Sequence, residues 1–253
     1  MKKASGIRRN VEIPSSLRDV EWQGVLSLSG GHGQPAFEAT EELIGYFSRL
    51  ATSGALASAA EHLHVSRFQS SATDAEGSLK VAFEARALHL GAWRILLQML
   101  SHCHEMEPYK HLELKCGLPD PGDLLNFEGV LVQVYPNRLL LPGIQMELNE
   151  DALGSTEFSV RIESGRELLP NEVAGISRLV DDWGTLVYTG GFTPIDRRIE
   201  DALLNKPSTY RLSSRVVEIS VTGWDGEPQA IWTLVNLAQA LSRDLPVLTI
   251  QLE

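Results

Sequence analysis

Residues 91–100 read GAWRILLQML and residues 229–241 read QAIWTLVNLAQAL. Each is a tryptophan-led apolar phrase too long for a strand, and each stands shortly before an alternating run, HLELKC in one case and VLTIQLE in the other. Helix followed by closing strand is the simplest reading of both. The same phrase occurring twice raises the possibility that the whole chain is a duplication.

Working outward from the first phrase, VLSLS (Val25 to Ser29) alternates as a half-buried strand does. SGGHGQP breaks the pattern, and AFEATEELIGYFSRLAT resumes at helical spacing, with Phe37, Leu43, Ile44, Phe47 and Leu50 near one face. HLHVSRFQ and SLKVAFEARA read as two strands, with SSATDAEG between them as a hairpin loop. The helix AWRILLQMLSHCHEM and strand HLELKC complete the order βαββαβ. Around the second phrase, FSVRIES is a strand, NEVAGISRLVDDWGTLVY a helix and RVVEISVTGW a strand whose start is open as far back as Thr209. The counterpart of HLHVSRFQ must lie within GGFTPIDRRIEDALLNKPSTYRLSS, whose IDRRIEDALL portion looks helical and marks an insertion.

Local punctuation supports the repeat. Ser29-Gly30 ends the first strand and Pro35 opens its helix; Ser164-Gly165 and Pro170 repeat this pattern 135 residues later. Glycine lets the chain turn off a strand, and proline at a first helical position gives up an amide with no partner there. Two α+β units of ferredoxin-like type are expected, each an antiparallel sheet with both helices on one face, because right-handed crossovers put them on the same side. The expected division is a mobile tail at 1–20, a first unit at 21–117, a linker and hairpin at 118–150 and a second unit at 151–253. The linker holds LPDPGDLLNFEG and then GVLVQVYPNRLLLPGIQMEL, a hairpin around Pro136-Asn137 that belongs to the second unit or bridges both. Each sheet has a helix-free face, and the two units are expected to shield these faces for each other.

At 253 residues with 43% hydrophobic content, the chain buries a core unaided. Cys103 and Cys116 make no disulfide framework. MKKASGIRRN is not followed by an apolar run, and no stretch approaches the roughly 20 residues of a membrane span. A cytoplasmic protein without membrane contact is expected. The net charge of −11 argues against a broad grip on nucleic acid, which needs clustered Lys and Arg. The basic cluster Lys2, Lys3, Arg8 and Arg9 reads as a solvated tail.

Motifs for chemistry are sparse. Ser29, Gly30, Gly31, His32 and Gly33 form a glycine-rich turn ahead of a helix, a place where free amides suit an anion. The turn lacks the endings of a P-loop or dinucleotide fingerprint. All seven histidines precede residue 112. His62 and His64 point the same way if HLHVSRFQ is a strand, whereas His102 and His104 do not share a helix face. No metal site, cofactor or catalytic residue is assigned. Asp181-Asp182 diverge by about 100° on their helix and read, like Glu200-Asp201, as a solvated face. Trp93, Trp183 and Trp232 read as core, while Trp224 beside Asp225 and Trp22 are placed for partial exposure.

Three functions follow. The first is an acidic interaction protein, which in charge and lack of motifs resembles immunity or antitoxin-like proteins that cap a basic partner. Its contact surface would lie in the acidic stretch from Glu150 to Asp201, with Asp181, Asp182, Glu200, Asp201, Trp224 and Asp225 as contact residues. The second is a binder or enzyme for a small anionic ligand, using Ser29 to Pro35 and the cleft between units. The third is a structural subunit that oligomerises through open sheet faces.

Overall fold

The structure, a computed structural model, describes residues 8–14, 21–30, 37–75, 78–103, 109–117, 124–126, 138–193, 205–223 and 228–253. It is a mixed α+β protein with two sheets, neither closed into a barrel. Strands β1 (Arg8–Pro14), β2 (Glu21–Gly30), β3 (Arg67–Ala75), β4 (Ser78–Arg86), β5 (Tyr109–Gly117) and β6 (Leu124–Asn126) form the first sheet, in the order β3-β4-β2-β5-β1-β6. Strands β7 (Gln145–Leu148), β8 (Glu157–Ser164), β9 (Ser208–Arg211), β10 (Val216–Thr222) and β11 (Val247–Leu252) form the second, in the order β7-β11-β8-β10-β9. The helices among the described residues are α1 (Glu38–Ser53), α2 (Leu90–Cys103), α3 (Pro170–Tyr188) and α4 (Pro228–Ala240).

Sequence and structure agree on most elements. β8 ends at Ser164 and α3 opens at Pro170, as the turn chemistry requires. The second strand of the second half, expected within residues 190–214, is β9, joined to β10 by Leu212–Arg215. IDRRIEDALL, Pro35 and the Pro136-Asn137 turn lie outside the described residues.

Four expectations need correction. Residues 8–14, assigned to a mobile tail, form β1 and pair in parallel with β5 from Arg8↔His111 to Glu12↔Lys115. SSATDAEG is not a loop: β3 runs to Ala75, which pairs with Ser78, so the connection is only residues 76 and 77. Its serines and threonine are tolerated because β3 is an edge strand whose residues 69–73 are all exposed. Upstream, His62 closes a short 3₁₀ turn and Leu63 to Val65 continue as turn, so the strand starts five residues later than HLHVSRFQ suggests. The linker, which the sequence leaves free to belong to the second unit or to bridge both, contributes to both sheets, β6 to the first by pairing with β1 and β7 to the second by pairing with β11, and needs no correction.

The fourth correction concerns how the halves meet. The sheets do not cover one another; the helices lie between them. One apolar cluster runs from Leu26, Phe47 and Trp93 through Ile176, Val180 and Trp183 to Ile231 and Ile250. The reason is in the opening phrases. Residues 91–100 of α2 are all buried, and so are residues 233–240 of α4. A helix buried all round needs cover on two sides, and one sheet supplies only one. The strands alternate, so each sheet has one apolar face already spent on its own helices. Burying the polar face as well would strand hydrogen-bonding groups.

Specific contacts fix this seam. Gly54 caps α1 with φ of 100°, and a Cβ there would stand 2.2 Å from the Leu63 carbonyl oxygen and 2.7 Å from Ala240 of α4. Only glycine fits both the backbone and the approach. The Trp183 indole N–H donates to the Ala230 carbonyl at 2.9 Å, tying α3 to α4. Buried His102 of α2 places Nε2 at 3.3 Å from the Thr193 carbonyl oxygen in the other half.

Between β6 and β7, residues 138–141 lie along α4, where two buried amides take the place of a partner strand. The Leu139 N–H donates to Asn236 Oδ1 at 2.9 Å and the Leu141 N–H to Gln239 Oε1 at 2.8 Å. Gln239 Nε2 donates back to the Leu139 carbonyl at 2.7 Å. Leu139 packs with Ala57, Leu63 and Ala240, with Leu141 alongside, so this strap touches both halves.

Candidate interaction face and inter-unit groove

Strand alternation puts Phe158, Val160 and Ile162 of β8 inward, and Glu157, Ser159, Arg161 and Glu163 outward. On β10 the outward set includes Glu218 and Ser220, and on β7 it is Gln145 and Glu147. Gln251 faces outward with them because it is directly opposite Arg161 and Glu147. Register therefore lines up Glu147, Gln251, Arg161, Glu218 and Tyr210 in one row across the sheet.

Short polar bonds run along that row. Gln251 Nε2 donates to Glu147 Oε2 at 2.5 Å, Arg161 Nε donates to Glu218 Oε2 at 2.5 Å, and Arg161 Nη1 is 2.8 Å from Glu253 Oε2. The hydrogen bond to Glu218, with Glu253 alongside, pushes the Arg161 guanidinium above its ordinary pKa. Among the described residues this face carries the carboxylates of Glu147, Glu157, Glu163, Glu218 and Glu253 against the single cation of Arg161. Tyr210, 52% exposed, stands at its edge.

The outer face of the first sheet is different in kind. Arg67 and Arg86 are opposite each other there, Lys80 and Glu84 lie on the same strand face, and Gln23, Val25, Ser71 and Ala82 floor a shallow depression. Among the described side chains it carries charges of both signs.

The expected contact residues fare unevenly. Asp182 is no part of a solvated face: it is 3% exposed, and Arg49 of α1 grips it with Nε at 2.7 Å and Nη2 at 2.8 Å. That hydrogen bonding raises the Arg49 pKa. The arginine also lies 4.7 Å over the Tyr46 ring, whose hydroxyl donates to Glu42 and is pushed up by that bond. Asp181 is half-buried and 3.4 Å from Lys206 Nζ, in a cleft of about 500 Å³ with Tyr46, Tyr188 and Pro207. Glu200, Asp201, Trp224 and Asp225 lie outside the described residues, as do Gly31, His32 and Gly33. Ser29 and Gly30 close β2, where Ser29 pairs with Ser78 and His111.

A cleft between the halves lies in the helix seam, whereas Gly31 to Pro35 lie outside the described residues. A groove of about 530 Å³ is lined by Ser48, Arg49, Thr52 and Ser53 of α1, by one face of α3, and by Leu241 to Leu245. It lies at the C-terminal end of α1.

The histidines form no shared site. His62 Nδ1 is 2.7 Å from Ser58 Oγ, and His64 Nε2 is 3.0 Å from Ser242 Oγ, so the two rings turn to different partners. His89 accepts the Gly91 N–H at 2.9 Å, and burial pushes its pKa down. Among the described residues no three His, Cys, Asp or Glu side chains are arranged to hold a metal, and no helix is long and apolar enough to cross a membrane. Trp93 and Trp183 are core, as expected. Trp232 is partly buried, with Arg138 5.3 Å over its ring.

No family model and no curated protein matches the chain. Solved structures that resemble it include a variant of the ferredoxin protease FusC in complex with Arabidopsis ferredoxin (9% identity, TM-score 0.19, 88% of this chain and 33% of that one). The periplasmic protease PqqL from Escherichia coli (8%, TM-score 0.21, 95% and 35%) and pitrilysin (10%, TM-score 0.20, 94% and 35%) are others. The chain spans about a third of the length of these proteases, and a likeness this slight carries no argument about fold or activity.

Proposed function

We propose that the chain is a cytoplasmic protein-binding protein that captures a basic partner on the outer face of its second sheet, as immunity or antitoxin-like proteins cap their targets. The observation that carries this is the charge of that face, with Glu147, Glu157, Glu163, Glu218 and Glu253 against Arg161. The sheet holds these groups on a rigid surface, so little conformational entropy is lost on contact. Like charges gathered on one side attract a cationic partner at long range and orient it before contact. Tyr210 at the edge supplies an aromatic anchor.

We also read the halves as two ferredoxin-like units derived from one ancestor. Leaving out the flanking strands, the orders β5-β2-β4-β3 and β11-β8-β10-β9 are the same, with each strand in the corresponding place in its half. The extra strands repeat as well: β1 precedes the first unit and pairs in parallel with its last strand, and β7 does the same for the second. On this reading the two copies diverged at their outer faces, one mixed and one acidic.

The test is affinity capture from the source cells with the intact chain, at about 50 mM and about 500 mM salt, beside a Glu147→Lys, Glu157→Lys, Glu163→Lys variant. A basic protein retained by the parent at low salt, and lost both at high salt and with the variant, supports the reading. Equal capture by parent and variant contradicts it.

A further inference from the structure

We propose that the groove at the C-terminal end of α1 binds a small amphiphilic anion, an acidic head on an apolar stem, at a site to which both halves contribute. The proposal is independent of the outer-face reading, because the groove lies in the helix seam and shares no residue with the sheet surface.

The floor is apolar. Ile176 and Leu245 are buried, and Leu179 and Leu241 complete the lining. The rim carries Arg178 of α3 and Arg243, with Arg49 behind. The carboxylates present are already engaged. Glu172 accepts two hydrogen bonds from Arg166, at 2.6 and 2.9 Å, and one from the Leu169 N–H, while Asp244 accepts from Arg243 Nε at 3.2 Å. Arg49 is committed to Asp182. The hydroxyl protons are spent too: Ser48 and Thr52 donate to the Phe68 carbonyl, and Ser53 donates to the Leu50 carbonyl. What is left to meet a ligand is the Arg178 guanidinium, which has no ion-pair partner among the described residues, and the terminal nitrogens of Arg243. An anion satisfies both, whereas a cation finds the nearby carboxylates of Glu172 and Asp244 already held by Arg166 and Arg243.

A second observation comes from Gly175. It sits mid-helix on α3 in the groove lining, where glycine weakens a helix relative to alanine. Nothing lies within 4 Å of the position its Cβ would take. Packing of the described chain does not demand glycine here, yet the space above it is kept open. A volume of about 530 Å³ falls in the range of small-molecule pockets.

The probes are octanoate, octyl phosphate, octanol and octylamine, titrated calorimetrically into the intact protein. The expected result is saturable binding of octanoate or octyl phosphate, with octanol and octylamine at least ~10-fold weaker, since one charge-assisted contact distinguishes them. Preference between the two anions separates a carboxylate from a phosphate head. Arg178→Gln should weaken the anion at least ~10-fold, and Gly175→Phe should abolish binding while the ligand-free protein melts no lower than the parent. If Gly175→Phe misfolds, the exposed Arg178→Gln change decides alone. Octylamine binding as well as octanoate, undiminished binding by the Arg178→Gln variant, or no saturable binding of any probe overturns the proposal.

Discussion

Asp182 is the clearest case of a residue whose role is set by a distant partner. Its side chain is 4% exposed and that of Arg49 is 47% exposed, so the two ends of the pair are not equivalent. Arg49→Ala leaves a carboxylate buried without a counter-ion, and a loss of about 2–4 kcal/mol is expected. Asp182→Asn leaves an arginine that can turn to water and an amide that still accepts a hydrogen bond, with a loss of about 1 kcal/mol. Urea unfolding of the two variants checks the order; equal losses would show that the pair is not buried as described. Glu172 gives a pH prediction. The Arg166 guanidinium and the Leu169 N–H hold its carboxyl at about 2, against an ordinary value of 4.5. A depressed carboxyl contributes stability that is fully present above 4.5 and is lost as pH falls towards 2. Glu172→Gln should therefore flatten the stability profile between those values and leave it unchanged in slope near neutrality, measured by thermal melting across pH. The sequence shows that Asp181 and Asp182 diverge on a helix. It does not show which of them is buried, because the arginine that decides this is 133 positions away.

Elements were most legible where periodicity was strong. The alternation of β8, β10 and β11 and the helical spacing of α1 and α3 stand in the sequence and in the structure alike. β3 reads as loop in the sequence because its edge position allows exposed Ser, Ala and Thr, a composition typical of turns. β1 was hidden for a related reason: RRNVEIP alternates weakly, and its basic start suggests a tail. The strap at 138–141 had no local signature at all, since its ladder consists of side chains about a hundred residues further on. The only hint was the pair Asn236 and Gln239 within an otherwise apolar helix, where buried amides need partners. Asn236→Ala should leave the Leu139 N–H buried and unsatisfied, at a cost of about 1–3 kcal/mol. Hydrogen exchange at Leu139 and Leu141 should accelerate in that variant more than exchange in β8 or β10; uniform acceleration would mean that the strap is not a separate unit.

For the molecule as a whole, the arrangement of layers follows from the burial of residues 91–100 and 233–240 on every side of their helices. Their polar positions, Arg94 and Gln98 in one and Thr233, Asn236 and Gln239 in the other, are buried with the rest, which cover by a single sheet would not achieve. Reading them only as crossover helices led to the expectation that the sheets shield each other, and the structure instead places the helices between them. That arrangement leaves two broad strand faces outward, and among the described side chains the second sheet's face is acidic while the first carries both signs. The acidic face was not legible because the net charge of −11 is a property of the whole chain, whereas clustering Glu147, Glu157, Glu163, Glu218 and Glu253 depends on register between strands from residue 145 to residue 253. The most direct measurement compares two variants of equal charge change, Glu147→Lys with Glu157→Lys and Glu163→Lys on the sheet, and Glu38→Lys with Glu41→Lys and Glu61→Lys elsewhere. The quantity measured is the association rate constant with the captured basic partner at low salt. The account predicts a fall of at least ~10-fold for the sheet variant and less than ~3-fold for the other. Equal falls for both would show that net charge, and not this face, does the capturing.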